Sequence, residues 1–385
     1  MIGTKKRVYY RIYGPTGVAL NYHWDDAVFS SFTKSINGGF GECVITLPRL
    51  FDDFGDNEDV RLNNRVDIYI QDKDCPAASL GKIIYSGYIS RYNPFIKNGK
   101  QGVMVYLLGH HTHFTRDIYK NGTTTTITET TTDLGTIMRN IMARYIAENT
   151  NPAIIVDNSR INLVSADASY EFKELTYYNA IDAVQRMSPS GWYWFIDRDN
   201  FFNFRSKASS TIHRLYYEKH FHEIESNKNI ENLVNEVLAY NGKTGGSEIY
   251  KKYSDPISQG WYGRRVYTIT DSNFADETTM DNYAQSILDD LSLPIIELSL
   301  TLIDNNENDF GYDIESIEVG DRVIIEGFNE SIFNEDMIIT EFTYSLNKMI
   351  LTIKPNKNDI FNKVFSNEKK LDQVANVSIP ADYTT

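Results

Sequence analysis

Between Val8 and Leu108 the chain is cut into short apolar runs by turn-forming residues, and this punctuation favours strands over long helices. Val8 to Tyr13 ends at Gly14-Pro15-Thr16-Gly17. Phe40 to Leu47, Val66 to Ile70, Ile83 to Arg91 and Val103 to Leu108 follow, the last two separated by Lys97-Asn98-Gly99-Lys100. In Val66-Asp67-Ile68-Tyr69-Ile70 the partial alternation predicts a strand with one buried face and Asp67 turned outward. The 26 Tyr and 20 Phe, beside many Ile, Val and Thr, suit a pleated, half-buried surface, so a mainly β protein is expected.

Helical periodicity enters only afterwards. A Thr-rich stretch over 121–132 precedes Leu134, Ile137, Met138, Ile141, Met142, Tyr145 and Ile146, which fall on one face of a helix capped by Thr132 or Asp133 and closed by Pro152. Tyr177 to Met187 reads as a second helix, ended by Ser188-Pro189-Ser190-Gly191. Trp192 to Ile196 and Phe201 to Phe204 then flank an Asp197-Arg198-Asp199-Asn200 turn as a hairpin. Strands are expected at 232–240 and 265–270, and a third helix carries Met280, Tyr283, Ala284, Ile287, Leu288 and Leu291 and stops at Pro294. Ile295 to Ile303, Arg322 to Glu326, Met337 to Tyr344 and Met349 to Lys354 form a last set of strands, with a turn near Leu346-Asn347-Lys348. Asn64 to Tyr69 and Gly320 to Ile325 share a pattern of polar turn, basic residue and apolar strand, a hint of duplication.

The length of 385 residues suggests two to four domains. With 38 basic and 52 acidic residues the formal net charge is -14, which disfavours capture of phosphate backbones, so no sequence-specific nucleic-acid partner is expected. Cys43 and Cys75 are too few for a disulfide framework, and a reduced compartment is the simpler expectation. Met1 to Tyr13 lacks a signal-peptide core, and no run reaches the roughly 18 apolar residues of a membrane span. Assembly in the cytoplasm, with no integral membrane segment, is the expectation.

His110, His111 and His113, and His220 with His222 about Phe221, place imidazoles near strand ends but lack a Cys or carboxylate at metal-ligand spacing. Asp304 to Glu315 nearly matches a calcium loop, with Asp304, Asn306 and Asn308 at the first, third and fifth positions and Glu315 at the twelfth, but Asp309 stands where the turn needs Gly. Trp192, Tyr193, Trp194, Trp261 and Tyr262 form a possible sugar platform, and Asp52, Asp53, Asp56, Glu58 and Asp59 an acidic loop. The sequence holds no Gly-x-Ser-x-Gly elbow, His-Glu-x-x-His helix, Gly-x-x-x-x-Gly-Lys loop or dinucleotide fingerprint, although a carboxylate pair for glycoside hydrolysis leaves no mark of this kind among 52 acidic residues. The expectation is a non-enzyme with no catalytic, cofactor-binding or metal residues and no cofactor.

Several phrases, taken in order, resemble the hub family of phage tails, which includes baseplate hubs, late-control-D-like proteins and the N-terminal module of siphophage tail-associated proteins. They are Arg65-Val66-Asp67-Ile68-Tyr69, Ile83 to Ile89, Ser190 to Asp197, Asn232 to Val237, Tyr262 to Arg265 and Glu318 to Ile325. The resemblance implies a mainly β, α+β chain: two related β-barrels separated by a helix-containing domain, the second barrel discontinuous in sequence. The expected units are a tube-docking barrel at 1–118, a helix-containing domain at 119–208 plus 241–294, a second barrel at 209–240 plus 295–356, and a C-terminal helix and tail at 357–385, with no lysin or fibre domain. It further implies a homotrimeric ring in the virion tail that meets the tail tube protein or distal tail ring and the tip, spike or fibre proteins, with a lumen for DNA. The alternatives are a cell-wall-degrading tail enzyme and a glycan-binding module for host attachment.

Overall fold

The computed structural model describes residues 6–355 apart from 15–16, 21–23, 25, 49–60, 72–80, 98, 132, 150–152, 166–167, 242–248, 272–273, 275, 305–310, 328–336 and 347. The acidic run 52–59, Cys75, Asn306, Asn308, Asp309 and the expected C-terminal helix lie outside the described residues.

The N-terminal third supplies β1 (Arg7–Tyr13), β2 (Val28–Ser35), β3 (Phe40–Leu47), β4 (Arg65–Gln71), β5 (Lys82–Lys97) and β6 (Lys100–Gly109). β2 escaped the sequence reading because its Ser and Thr residues dilute the apolar signal, although Phe29, Phe32 and even Lys34 point inward. The middle supplies β7 (Thr126–Thr131), α1 (Leu134–Glu148), β8 (Ala168–Lys173), α2 (Tyr177–Met187), β9 (Trp192–Ile196) and β10 (Phe202–Ser206). The remainder supplies β11 (Ile212–Tyr216), β12 (Phe221–Asn229), β13 (Glu236–Tyr240), β14 (Tyr250–Ser254), α3 (Pro256–Tyr262), β15 (Val266–Thr270), α4 (Glu277–Leu291), β16 (Ile295–Ile303), β17 (Arg322–Glu326), β18 (Met337–Ser345) and β19 (Lys348–Pro355). Asp133 caps α1, accepting from the Thr136 amide at 2.9 Å, and so satisfies a first-turn donor.

Twelve strands form one sheet made of two halves. The first runs β1-β4-β5-β6-β3-β2, and the second runs β11-β17-β18-β19-β16-β12. Counted within its own half, each has the strand order 1-4-5-6-3-2. All pairings are antiparallel in both, except that β11 joins β17 in parallel where β1 joins β4 antiparallel. The two similar phrases noted above fall on β4 and β17, the fourth strand of each half. β18 joins the halves: Met337 and Ile338 pair with β17, and Glu341 to Tyr344 pair with β2, either side of a bulge that leaves Thr340 out of register. Among the described residues no pairing closes either half into a barrel.

Two apolar cores result. One gathers side chains of both halves, among them Phe32, Tyr85, Leu298 and Val323; the other lies among α1, α2, α4 and the strands about them. β9 divides them, since alternate strand residues face opposite ways. Tyr193 and Phe195 enter the first core, Trp194 and Ile196 the second.

Two expectations need correction. Asp67 does not face outward: β4 is covered on both faces, and Asp67 is fully buried. β13, grouped above with the second barrel, instead pairs with β14 and β15 in a separate three-stranded sheet, and its Val237 and Ala239 pack in the second core. Its few inward apolar residues fit either sheet, so local pattern does not choose between them.

Candidate functional site: buried polar joints

Several networks of buried polar residues lie where the two halves and the helical region meet. Three joints are built there, each from segments distant in sequence.

At the first, Arg65 holds Asp67 through Nε at 2.9 Å and Nη2 at 2.7 Å. Ser86 Oγ donates to Asp67 Oδ1 at 2.6 Å and accepts from Asn200 Nδ2 at 3.0 Å. The single hydroxyl proton is therefore used, so the 3.2 Å contact between Ser86 and His110 Nε2 has the imidazole as donor. Burial, with Arg65 and two histidines nearby, lowers the His110 pKa well below its ordinary value and keeps the ring neutral. The composition is that of a serine hydrolase triad, but the wiring is not: the serine bridges acid and imidazole, and all three are buried.

At the second, Lys34 Nζ lies 2.8 Å from Glu318 Oε1 and 4.2 Å from the centre of the Phe40 ring. Arg198, from the β9–β10 turn, donates to the backbone carbonyls of Glu315 and Ile317. Asp197 shapes that turn by accepting from the amides of Asp199 and Phe201, and it pairs with Arg160.

At the third, Asp321 accepts from Arg205 at 3.2 Å and from the Glu318 amide at 3.1 Å, and meets His213 Nε2 at 3.1 Å. His213 Nδ1 lies 2.8 Å from the Tyr312 hydroxyl, and Tyr193 donates to the Gly320 carbonyl at 2.7 Å. Gly320 has φ +79°, and a Cβ there would stand 2.1 Å from the Tyr193 ring, so both conformation and space demand glycine.

The phrases that carry the family resemblance supply these joints. Asp67, Ser86, Tyr193, Asp197, Glu318 and Asp321 all belong to them. The remaining two phrases meet each other: Arg264 grips Glu236, and Asn235 donates to the Gly263 carbonyl at 2.7 Å and accepts from the Arg265 amide at 2.7 Å.

The two end carboxylates of the near-calcium loop, Asp304 and Glu315, do converge, but on a cation of the chain itself. Lys6 Nζ lies 2.6 Å from each, and Tyr344 donates to Glu315 at 2.7 Å. Among the described residues no group of three or more His, Cys, Asp or Glu is placed to hold a metal. His113 lies tilted against Tyr88 with centroids 4.4 Å apart, and His220 accepts from the Tyr216 amide. Tyr193 and Trp194 are core residues, whereas Trp261 is 57% exposed, so the aromatics do not form one platform. Lys6, Lys34, Arg198, Arg205 and His213 went unread in the sequence because isolated cations ordinarily read as surface. The only signal was position, Lys34 standing two residues after Phe32 in an inward-facing series.

A cavity of about 220 Å³ lies between α2 and α4, lined in part by Tyr170, Asp182, Arg186, Asp271 and Tyr283. Burial raises the Asp182 pKa, but its carboxylate is held by Arg186 at 2.9 Å. Among the described residues no helix is long and apolar enough to cross a membrane.

Comparison with known proteins bears on the fold. Residues 209–360 match the family model described as prophage endopeptidase tail. No curated protein matches the chain. The 43 kDa tail protein of prophage MuSo2 from Shewanella oneidensis superposes with a TM-score of 0.61 at 10% identity, over 92% of this chain and 99% of that one. A tail protein from Neisseria meningitidis MC58 gives 0.57 at 12% identity, over 91% and 96%. Prophage tail protein gp18 from Listeria monocytogenes EGD-e gives 0.53 at 13% identity, over 94% and 99%. Over nearly its whole length this chain therefore has the fold of phage tail proteins, in keeping with the resemblance to the tail hub family, and its residues 209–360 match the prophage endopeptidase tail family.

Proposed function

We propose that the chain is a structural hub of a phage-type tail tip or baseplate, located in the virion tail. Three copies form a ring that caps or extends the tail tube, attaches tip, spike or fibre proteins and leaves a lumen for DNA. The observation that carries this reading is the repeated strand order 1-4-5-6-3-2, because three copies with two like halves offer six like faces to a six-fold tube. In this reading 1–118 and 209–240 plus 295–356 are the ring-forming units, with β13 attached to the helical region, and 119–208 plus 241–294 faces the tip proteins. β1 and β12 end the path of the large sheet; apart from short returns of the chain at Tyr13 and Phe221, each pairs with one neighbouring strand among the described residues, and they are the edges through which copies would join. The net charge of -14 suits a passage through which DNA slides without sticking.

Light scattering over a roughly hundredfold concentration range tests the reading, since assembly follows mass action. A mass near three times 44.2 kDa supports it, and a monomer throughout counts against it.

The enzyme reading is favoured by one observation, the raised Asp182 carboxyl beside a cavity. Its ion pair with Arg186 argues for a structural role, and the peptidoglycan assay described in the Discussion separates the two.

A further inference from the structure

The duplicated halves permit a comparison inside one chain. In the second half the fifth and sixth strands, β18 and β19, span 9 and 8 residues, and β18 is paired on both sides, to β19 and to β17 and β2. In the first half the matching β5 and β6 span 16 and 10. β5 pairs with β4 only as far as Tyr88, and Ile89 exchanges backbone bonds with Asn63 and Asn64. Beyond Ile89 that edge has no backbone partner among the described residues, while the register with β6 continues from Arg91 to Lys97. Arg91 to Pro94 stay within the sheet, because their β6 partners Val103 to Tyr106 also pair with β3, whereas Phe95 to Lys97 and Lys100 to Gly102 run past Leu47, the last residue of β3, as a projecting arm. The second half reaches the same topology without it, so the fold does not require the extra length.

The arm is stiffened and chemically distinct. Phe95 lies across Gly102, where a Cβ would come within 2.6 Å of its ring, and Arg91 stacks 3.9 Å from the centre of the Tyr106 ring. Tyr92 is 40% and Ile96 76% exposed. No Asp or Glu occurs between Asp74 and Asp117, whereas the arm carries Lys97 and Lys100 and its base Arg91, in a chain with 52 acidic and 38 basic residues. Arg91 meets Glu42 at 3.3 Å, an exposed pair, and Lys97 and Lys100 make no ion pair among the described residues. Pro94 removes one backbone donor, which limits open-ended strand addition along the arm.

We propose that this arm docks on the acidic surface of a second copy of the chain, with Ile96 and Tyr92 as apolar anchors and Lys97 and Lys100 pairing with carboxylates around them. Charge complementarity selects the occupant: the arm is a basic, apolar-tipped element on a protein whose own surplus is acidic. Arm and receiving surface differ, so the contact is heterologous and closes into a ring when the rotation permits. The inference rests on the ring reading above.

Sedimentation velocity of the full chain at about 50 mM and 500 mM salt tests it, with wild type, Lys97→Glu/Lys100→Glu and Ile96→Ser compared. Circular dichroism melting serves as the control, because the replaced side chains are exposed. Wild-type self-association that weakens about tenfold in both variants and at high salt is the expected result. Variants that assemble as wild type does would overturn the arm and leave the ring intact. A wild type that never assembles would overturn the ring reading, and with it this one.

Discussion

Lys34 Nζ lies 2.8 Å from Glu318 Oε1, and the lysine side chain is wholly buried, so a charge on β2 of the first half is neutralised by a residue leading into β17 of the second. The pair sits beside the seam where β2 meets β18. Removing Lys34 leaves Glu318 with only Arg198, 3.8 Å away, and the Val319 amide to offset its charge. Lys34→Met is expected to cost about 3 kcal/mol in urea unfolding, the low end for breaking a buried pair. Lys34→Met/Glu318→Leu should lose less than Lys34→Met alone, and a double variant as damaged as the sum of the singles would show that the two do not act as a pair.

Gly320 makes the second prediction. Its positive φ and the 2.1 Å approach to Tyr193 both exclude a side chain, so Gly320→Ala should destabilise the fold by about 3 kcal/mol or more. In a Tyr193→Ala background the steric part disappears and only the backbone part remains. Equal losses in both backgrounds, measured by chemical denaturation, would refute the contact as the cause.

Stability should also depend on acid. Burial lowers the His110 and His113 pKa values and brings His111 from 6.5 to about 4, so these rings are neutral when folded and protonate more readily when unfolded. Where the unfolded state binds more protons, stability rises with pH. The contribution is therefore whole above about pH 6.5 and is lost as pH falls through the folded values, at up to about 1.4 kcal/mol per pH unit for each titrating ring. Thermal melts between pH 7 and about pH 4 should fall more steeply for wild type than for His111→Gln. Parallel curves would contradict the assignment.

Asp182 gives the test of catalysis. If its raised pKa reflects only burial beside Arg186, purified wild-type chain releases no soluble fragments from peptidoglycan, and Asp182→Asn behaves identically. Release that Asp182→Asn abolishes would establish the enzyme reading.

Much of the fold is legible in the sequence because strand and helix periods are local properties. Phe40–Leu47 and Tyr177–Met187 stand at the bounds their patterns predict. β12 is the opposite case: Phe221-His222-Glu223-Ile224-Glu225 continues into polar residues, and only pairing with β16 makes it a strand. The joints are harder still. Ser86 and His110 stand 24 residues apart, Tyr193 and Gly320 127, and Lys34 and Glu318 284, and no local period links such partners. The order of the resembling phrases marked many of these residues without revealing that they meet.

Cryo-electron microscopy of the purified chain tests the central claim most directly. The account predicts three-fold rings in which six like sheet halves surround an opening, with the helical regions outside the ring wall. Isolated single copies, or assemblies in which the two halves occupy unlike positions about the axis, would contradict it.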